Sequence, residues 1–293
     1  MTRRKKIMRI RKWIQAIAMF LFFMGLPAII MAADCTETYG DDSNLFSLAT
    51  GSPGELGLLK VLAETFNEKN KTTLCWVKAG SGKSLALLKA KEVDIALVHA
   101  PAAEKAAVQE GWAIKRTLIG SNEFYIVGPE SDPAGIKEAK SAAEAYQKIA
   151  AAQANFLSRG DNSGTHKKEM SIWKAAGMEP SGDWYIVTKD FMMATMKKAN
   201  DLPGYFMTDS STWVAAKKEM NNLQILFRGD PFLINTYHGL CQPAGATEGQ
   251  AWAEKFIDFL ASAEGQGIIG NYGKSLHGEG LYNDAEYAKQ YDH

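Results

Sequence analysis

The chain has 293 residues, 46% of them hydrophobic and 10% aromatic, enough apolar mass for one large core or two medium ones and too much for a disordered chain. Its 33 basic and 33 acidic side chains cancel formally, but Arg3, Arg4, Lys5, Lys6, Arg9, Arg11 and Lys12 stand together, and residues 1–33 hold no acid. Without residues 1–33 the chain carries 26 basic against 33 acidic side chains, a net charge of −7. This argues against a nucleic-acid partner, because no positive surplus remains to displace phosphate counterions.

The basic cluster, the apolar run over residues 14–31 and the small pair Ala32-Ala33 have the layout of a secretory signal peptide, residues 1–33, and imply a periplasmic protein. Met31 stands where a small residue is usual, so a membrane-anchored form is the alternative. Asp34 argues against a lipid on Cys35. In an oxidising compartment the three cysteines allow one intramolecular bridge. Cys75 lies in an apolar run and reads as a small packed hydrophobe, and a Cys35–Cys241 bridge is conceivable. The histidines His99, His166, His238, His277 and His293 show no metal-ligand spacing, and no metal site or cofactor is expected.

In chain order, a strand at 45–48 enters the turn Ala49-Thr-Gly-Ser-Pro-Gly54, and Leu56, Leu59, Leu62, Ala63 and Phe66 predict a helix that ends near Asn70. A strand at 73–78, the turn AGSGKSL at 79–85, a helix with Leu85 and Leu88, and a buried strand at 94–98 complete a βαβ unit. That unit implies a parallel sheet with its functional turns at the strand C-terminal ends. Further strands are expected at 124–127, 155–157, 184–187, 204–208 and 223–227, with 232–240 crossing back. Helices are expected at 137–153, 165–176, 191–199, 213–220 and 249–269. The pattern describes an α/β chain of two lobes joined by two crossover strands: lobe 1 from residues 34–122 and 238–293, lobe 2 from 123–237. A cleft between such lobes is a natural ligand site.

AGSGKSL invites comparison with a phosphate-binding P-loop, but that loop needs a glycine where Val77 stands, so an ATPase is not predicted. A strand, a small-residue turn and a helix still form an anion site, because the first helical N–H groups lack partners and carry partial positive charge. The segment SRGDNSGTH at 158–166 is richer: glycines for close approach, hydroxyls on Ser163 and Thr165, and the planar guanidinium fork of Arg159. A plain capped helix start accounts for one hydroxyl but not for arginine beside two glycines. The Arg-Gly-Asp triplet, repeated at 228–230, is not read as an adhesion motif. Met192, Met193 and Met196 read as core packing, Lys83 and Lys89 as a solvated helix face, and His99 as a structural histidine that could reach the cleft.

With these residues in view, the chain resembles the periplasmic tungstate-binding proteins of ATP-binding-cassette importers, a branch of the type II solute-binding fold. The likeness runs across nearly the whole mature chain. It includes SRGDNSGTH, DIALVHAPAAEK at 94–105, NEFYIVGPESDPAGI at 122–136, YFMTDSSTW at 205–213 and FIDFLASAEGQGIIGNYG at 256–273. The resemblance implies an oxyanion held between the lobes by Thr50 and Ser52, by Ser81, and by Arg159 and Thr165, with Ser163 adjacent. The chain departs from the family pattern in its shorter first turn Thr50-Gly-Ser-Pro53, in Ser81 where threonine is common, and near Phe191, where a glycine often stands.

The implied role is a monomeric binding protein without catalytic turnover that presents tungstate, with molybdate as a further ligand, to a membrane permease. Tungstate and molybdate are unprotonated dianions and need donors only, whereas phosphate keeps a proton and needs an acceptor, for which Asp161 is the candidate. Asp161 reads first as a brace for Arg159 or as a cap. Phosphate, a small organic anion, or a sensor role at a membrane receptor are the alternatives. A hydrolase would need Ser163 and His166 to act together, with no visible third group.

Overall fold

The structure, a computed structural model, describes residues 33–292. The expected signal peptide lies outside the described residues, apart from Ala33. The first half runs β1 (Glu37–Tyr39), β2 (Asn44–Thr50), α1 (Ser52–Glu55), α2 (Leu58–Asn70), β3 (Thr72–Lys78), α3 (Ser81–Lys89), β4 (Ile95–Val98), α4 (Pro101–Gln109) and β5 (Ile114–Gly128). The second runs α5 (Ala142–Ala152), β6 (Phe156–Ser158), α6 (Gly164–Ala175), β7 (Tyr185–Val187), α7 (Met192–Asp201), β8 (Tyr205–Asp209), α8 (Ser210–Ala216), β9 (Gln224–Phe227), β10 (Ile234–Cys241), α9 (Gln250–Ala261), α10 (Ala263–Asn271), α11 (Lys274–His277), β11 (Asn283–Asp284) and α12 (Ala285–Ala288).

The strand order is β1-β3-β2-β4-β10-β5-β8-β6-β7, with β9 and β11 also paired to β5. β2 lies parallel to β3 and β4, and β6 lies parallel to β7 and β8. These parallel groups come from the βαβ alternation, which sends each chain return through a helix. The long strand β5 joins them: its first part pairs antiparallel with β10, and its last part pairs with β8 and β9. The fold is thus α/β, with two lobes linked by crossing strands.

Packing follows the same division. One apolar cluster is built from residues between Phe124 and Leu233, including Tyr146, Phe156, Trp173, Met192 and Met196. Two others draw mainly on residues before 120 and after 236, one of them centred on Phe46, Phe66 and Phe256, whose rings lie 5.1–5.8 Å apart, the other on Val77, Leu85, Leu88 and Val98. α8 sits at the junction, with Trp213 in the former cluster and Val214 in a latter one.

The structure corrects several expectations. Cys35 bonds Cys75, not Cys241. β1 lies antiparallel on β3 with Thr38 opposite Cys75, which brings the chain start beside the cysteine, while Cys241 is a free, fully buried thiol pushed up to about 11 by burial. The bridge spans 40 residues, a closure that stabilises by about 4 kcal/mol in the chain-entropy view. The helix expected over 249–269 is two helices, α9 and α10, because Ser262 adopts an extended conformation (ψ 162°) and caps α10 by accepting from the Gly265 N–H at 3.2 Å. The helix at 137–153 is shortened to α5, capped by Ser141, and the helix at 213–220 starts earlier, as α8 capped by Asp209.

Candidate anion-binding site

β3 and β6 each end in a glycine-rich turn that starts a helix, and the two turns face each other. Gly80 and Gly82 supply the room: a Cβ on Gly80 would stand 3.0 Å from Ser163 Cβ, and one on Gly82 would stand 2.6 Å from the Asn162 carbonyl oxygen. On the other side a Cβ on Gly164 would meet the His99 ring at 2.4 Å. The approach is therefore set by hydrogen atoms where any other residue carries carbon.

Between the turns lies a small polar cavity. Ser52, Glu55, Ser81, His99, Arg159, Ser163 and Phe191 are among its lining residues. Three helices of nine or more residues begin here: α3 at Ser81, α6 after its cap Ser163, and α7 after Phe191. Their converging N-termini bring partial positive charge to the cavity, although residues 34–293 are acidic overall.

Among the described residues Arg159 is the one formal cation lining the cavity, and it is only 4% exposed. Its Nη2 donates to Asp161 Oδ2 at 2.5 Å, while its buried Nε–H has no protein partner. Asp161 Oδ1 accepts from the Ser163 N–H at 3.1 Å. Burial pulls the Asp161 carboxyl upward, but the Arg159 charge and the Ser163 hydrogen bonds outweigh it and hold the group below its ordinary value. Asp161 is therefore an ionised brace. Gly160 (φ 58°) and Asn162 (φ 57°) both take the left-handed conformation, which folds the turn tightly enough for the Arg159–Asp161 contact.

The other predicted residues divide. Ser163 Oγ accepts from the His166 N–H at 3.3 Å, and Ser81 Oγ accepts from the His99 N–H at 3.2 Å, so each hydroxyl keeps its proton to donate. Ser52 donates weakly to Asp209 Oδ2 at 3.4 Å. Thr165 Oγ1 is buried without a protein partner, two residues beyond the Ser163 cap, and Thr165 is not among the residues lining the cavity. Thr50 does not line the cavity: its hydroxyl donates to the Leu97 carbonyl at 2.8 Å and ties β2 to β4. Leaving a buried donor such as Arg159 Nε or Thr165 Oγ1 without an acceptor costs about 1–3 kcal/mol. An anion in the cavity would supply one to Arg159, which lines it.

Sequence reasoning undervalued His99, Phe191 and Asp209. His99 is partly buried in the cavity wall against Tyr237, ring centroids 4.9 Å apart. Asn235 Nδ2 donates to Asn122 Oδ1 (2.8 Å), so Asn235 Oδ1 accepts from His99 Nδ1–H (2.8 Å), which leaves Nε2 bare. Burial lowers His99 to about 4, so its ring is neutral at pH 7. Asp209 accepts from the Thr212 N–H and hydroxyl, from Asn122 and from Ser52, and its carboxyl is raised by burial. The signal for Asp209 was its place before three hydroxyl residues, a helix-cap pattern. Among the described residues no group of three or more His, Cys, Asp or Glu could hold a metal ion.

Residues 37–264 match the model of the PBP superfamily domain. A curated tungstate-binding protein, TupA of Peptoclostridium acidaminophilum, is 32% identical over 237 residues, covering 80% of this chain and 82% of that one. The solved structure titled as the tungstate ABC transporter from Geobacter sulfurreducens is 37% identical with a TM-score of 0.71, covering 79% of this chain and 100% of its own. The tungstate-binding protein TupA from Desulfovibrio alaskensis G20 is 38% identical with a TM-score of 0.68, covering 82% and 98%. By fold, by matched length and by identity, this chain belongs to the PBP superfamily and, within it, to the family of the tungstate-binding proteins of ABC transporters.

Proposed function

We propose that this protein captures a fully deprotonated tetrahedral oxyanion between its lobes, tungstate first and molybdate second, and presents it as a periplasmic monomer to the membrane permease of an ABC importer. The lobes are residues 34–122 with 238–293, and residues 123–237. Arg159, Ser81 and Ser163 donate to the anion, Ser52 exchanges its weak bond to Asp209 for one to the anion, Thr165 supports them, and Thr50 braces the first turn. Closure couples to binding because only the closed form lets both turns donate to one anion.

The observation that carries this reading is the buried, unpartnered Nε–H of Arg159. The carboxylates around it point the same way: Asp161 is taken by Arg159 and Ser163, Asp209 by Thr212 and Asn122, and Glu55 by Lys78, so none is free to accept the proton that phosphate carries. The narrow cavity disfavours larger organic anions. Hydrogen phosphate is the second reading, favoured by the bare Nε2 of His99 in the cavity wall. Catalysis is not proposed: His166 Nδ1 accepts from the Asn162 N–H at 3.0 Å, so that lone pair is not available as a base for Ser163.

Trp76 makes the test simple, because its indole donates to the Thr50 carbonyl at 3.0 Å, next to the first turn. Titration of the exported protein with tungstate, molybdate, sulfate, phosphate and acetate, followed by tryptophan fluorescence, should give tight 1:1 binding of tungstate and molybdate and none of acetate. Tighter binding of phosphate than of tungstate would overturn the assignment.

A further inference from the structure

Phe191 stands between two cations that reach it from opposite sides of the cleft. Its ring centroid lies 4.4 Å from Lys78 Nζ, at the end of β3, and 5.6 Å from the guanidinium carbon of Arg159, after β6. Each cation also has its own carboxylate: Lys78 pairs with Glu55 at 2.6 Å, and Arg159 with Asp161. The row Glu55, Lys78, Phe191, Arg159, Asp161 thus alternates charge around one aromatic ring, and Glu55, Phe191 and Arg159 all line the cavity. Phe191 is only partly buried and caps α7 without a side-chain hydrogen bond, so neither core packing nor capping explains the position of its ring.

We propose that Phe191 is a latch over the anion site. The ring attracts Lys78 of the first lobe while it rests on Arg159 of the second, and it covers the cavity when the two lobes meet. A cation over a ring face is favourable in either exposed or desolvated surroundings, and more so once water is expelled. The latch therefore strengthens as the cleft closes, which slows release of the ligand more than it affects entry. By narrowing the cavity it also selects against anions larger than a compact oxyanion. What the latch encloses rests on the oxyanion reading above; the contact between Lys78 and Phe191 concerns closure itself.

The test uses the exported protein and its variants Phe191→Ala, Phe191→Leu, Phe191→Tyr and Lys78→Met. Small-angle scattering without ligand reads closure, and stopped-flow fluorescence with sodium tungstate reads association and release. Phe191→Ala and Lys78→Met are expected to scatter as more open chains and to release tungstate about tenfold faster, with association changed by less than about twofold. Phe191→Tyr should restore both readouts. Scattering and release unchanged in Phe191→Ala would overturn the latch, and wild-type behaviour in Phe191→Leu would overturn its cation–π basis. A wild type that binds no tungstate would instead overturn the proposed ligand, with the scattering arm still deciding the latch.

Discussion

The turns at residues 79–85 and 158–166 share one plan, a parallel strand running into a small-residue turn and a helix, yet they are built for different loads. The first carries no charged group to the cavity. Its glycines let the other turn approach, and Ser81 adds a single hydroxyl. The second carries Arg159, braced by Asp161, on a backbone bent by two left-handed residues. One wall admits and the other grips. A helix N-terminus alone gives a generic anion site, and the braced arginine fork is what turns it into a selective one.

The sharpest way to break the comparison is through His99, which stands between the turns, bonded to Ser81 through its backbone and packed on Gly164. Burial, with Arg159 and Lys168 also opposing its charge, holds it near pH 4 in the folded chain against 6.5 unfolded. Between those values the unfolded state binds more protons, so stability is present above about pH 6.5 and is lost as pH falls through 4. Denaturant unfolding should show wild type losing about 3 kcal/mol more than His99→Gln across that window.

Next in size, Arg159→Lys should raise the tungstate Kd by about a hundredfold or more in calorimetry, because a point charge cannot replace the fork at a desolvated site. Gly82→Ala tests the admitting wall. The new Cβ meets the Asn162 carbonyl at 2.6 Å, so the two turns must part: Kd should rise by about tenfold and the ligand-free chain should scatter as more open than wild type. Smallest is Ser81→Ala, which removes one neutral donor and should weaken binding about fivefold. Equal losses for Arg159→Lys and Ser81→Ala would erase the distinction between the turns.

Much of this architecture was legible in the sequence, because the βαβ alternation and the glycine-rich turns are local signals. Arg159 and Ser163 were named from the turn at 158–166, Ser52 and Ser81 by resemblance, and all four line one cavity. What escaped depends on pairing distant in sequence. The first part of β5, before residue 120, was not read as strand, and Thr117 and Leu118 lie on it opposite Gly239 and His238 of β10. Cys35 meets Cys75 only through the three-residue strand β1, too short to show a period. Thr50 was assigned to the ligand by resemblance, and its hydroxyl goes to Leu97, 47 residues away. Phe191 was visible only as a departure from the family pattern, since the cations that explain it come from two other strands.

The central claim is that one anion is held by both turns at once. The most direct measurement is diffraction from crystals of the exported protein grown with tungstate, recorded at the tungsten absorption edge. The account predicts one strong anomalous peak per chain within hydrogen-bonding reach of Arg159 Nε, Ser81 Oγ and Ser163 Oγ. A peak touching only one of the two turns, or lying elsewhere on the molecule, would contradict it.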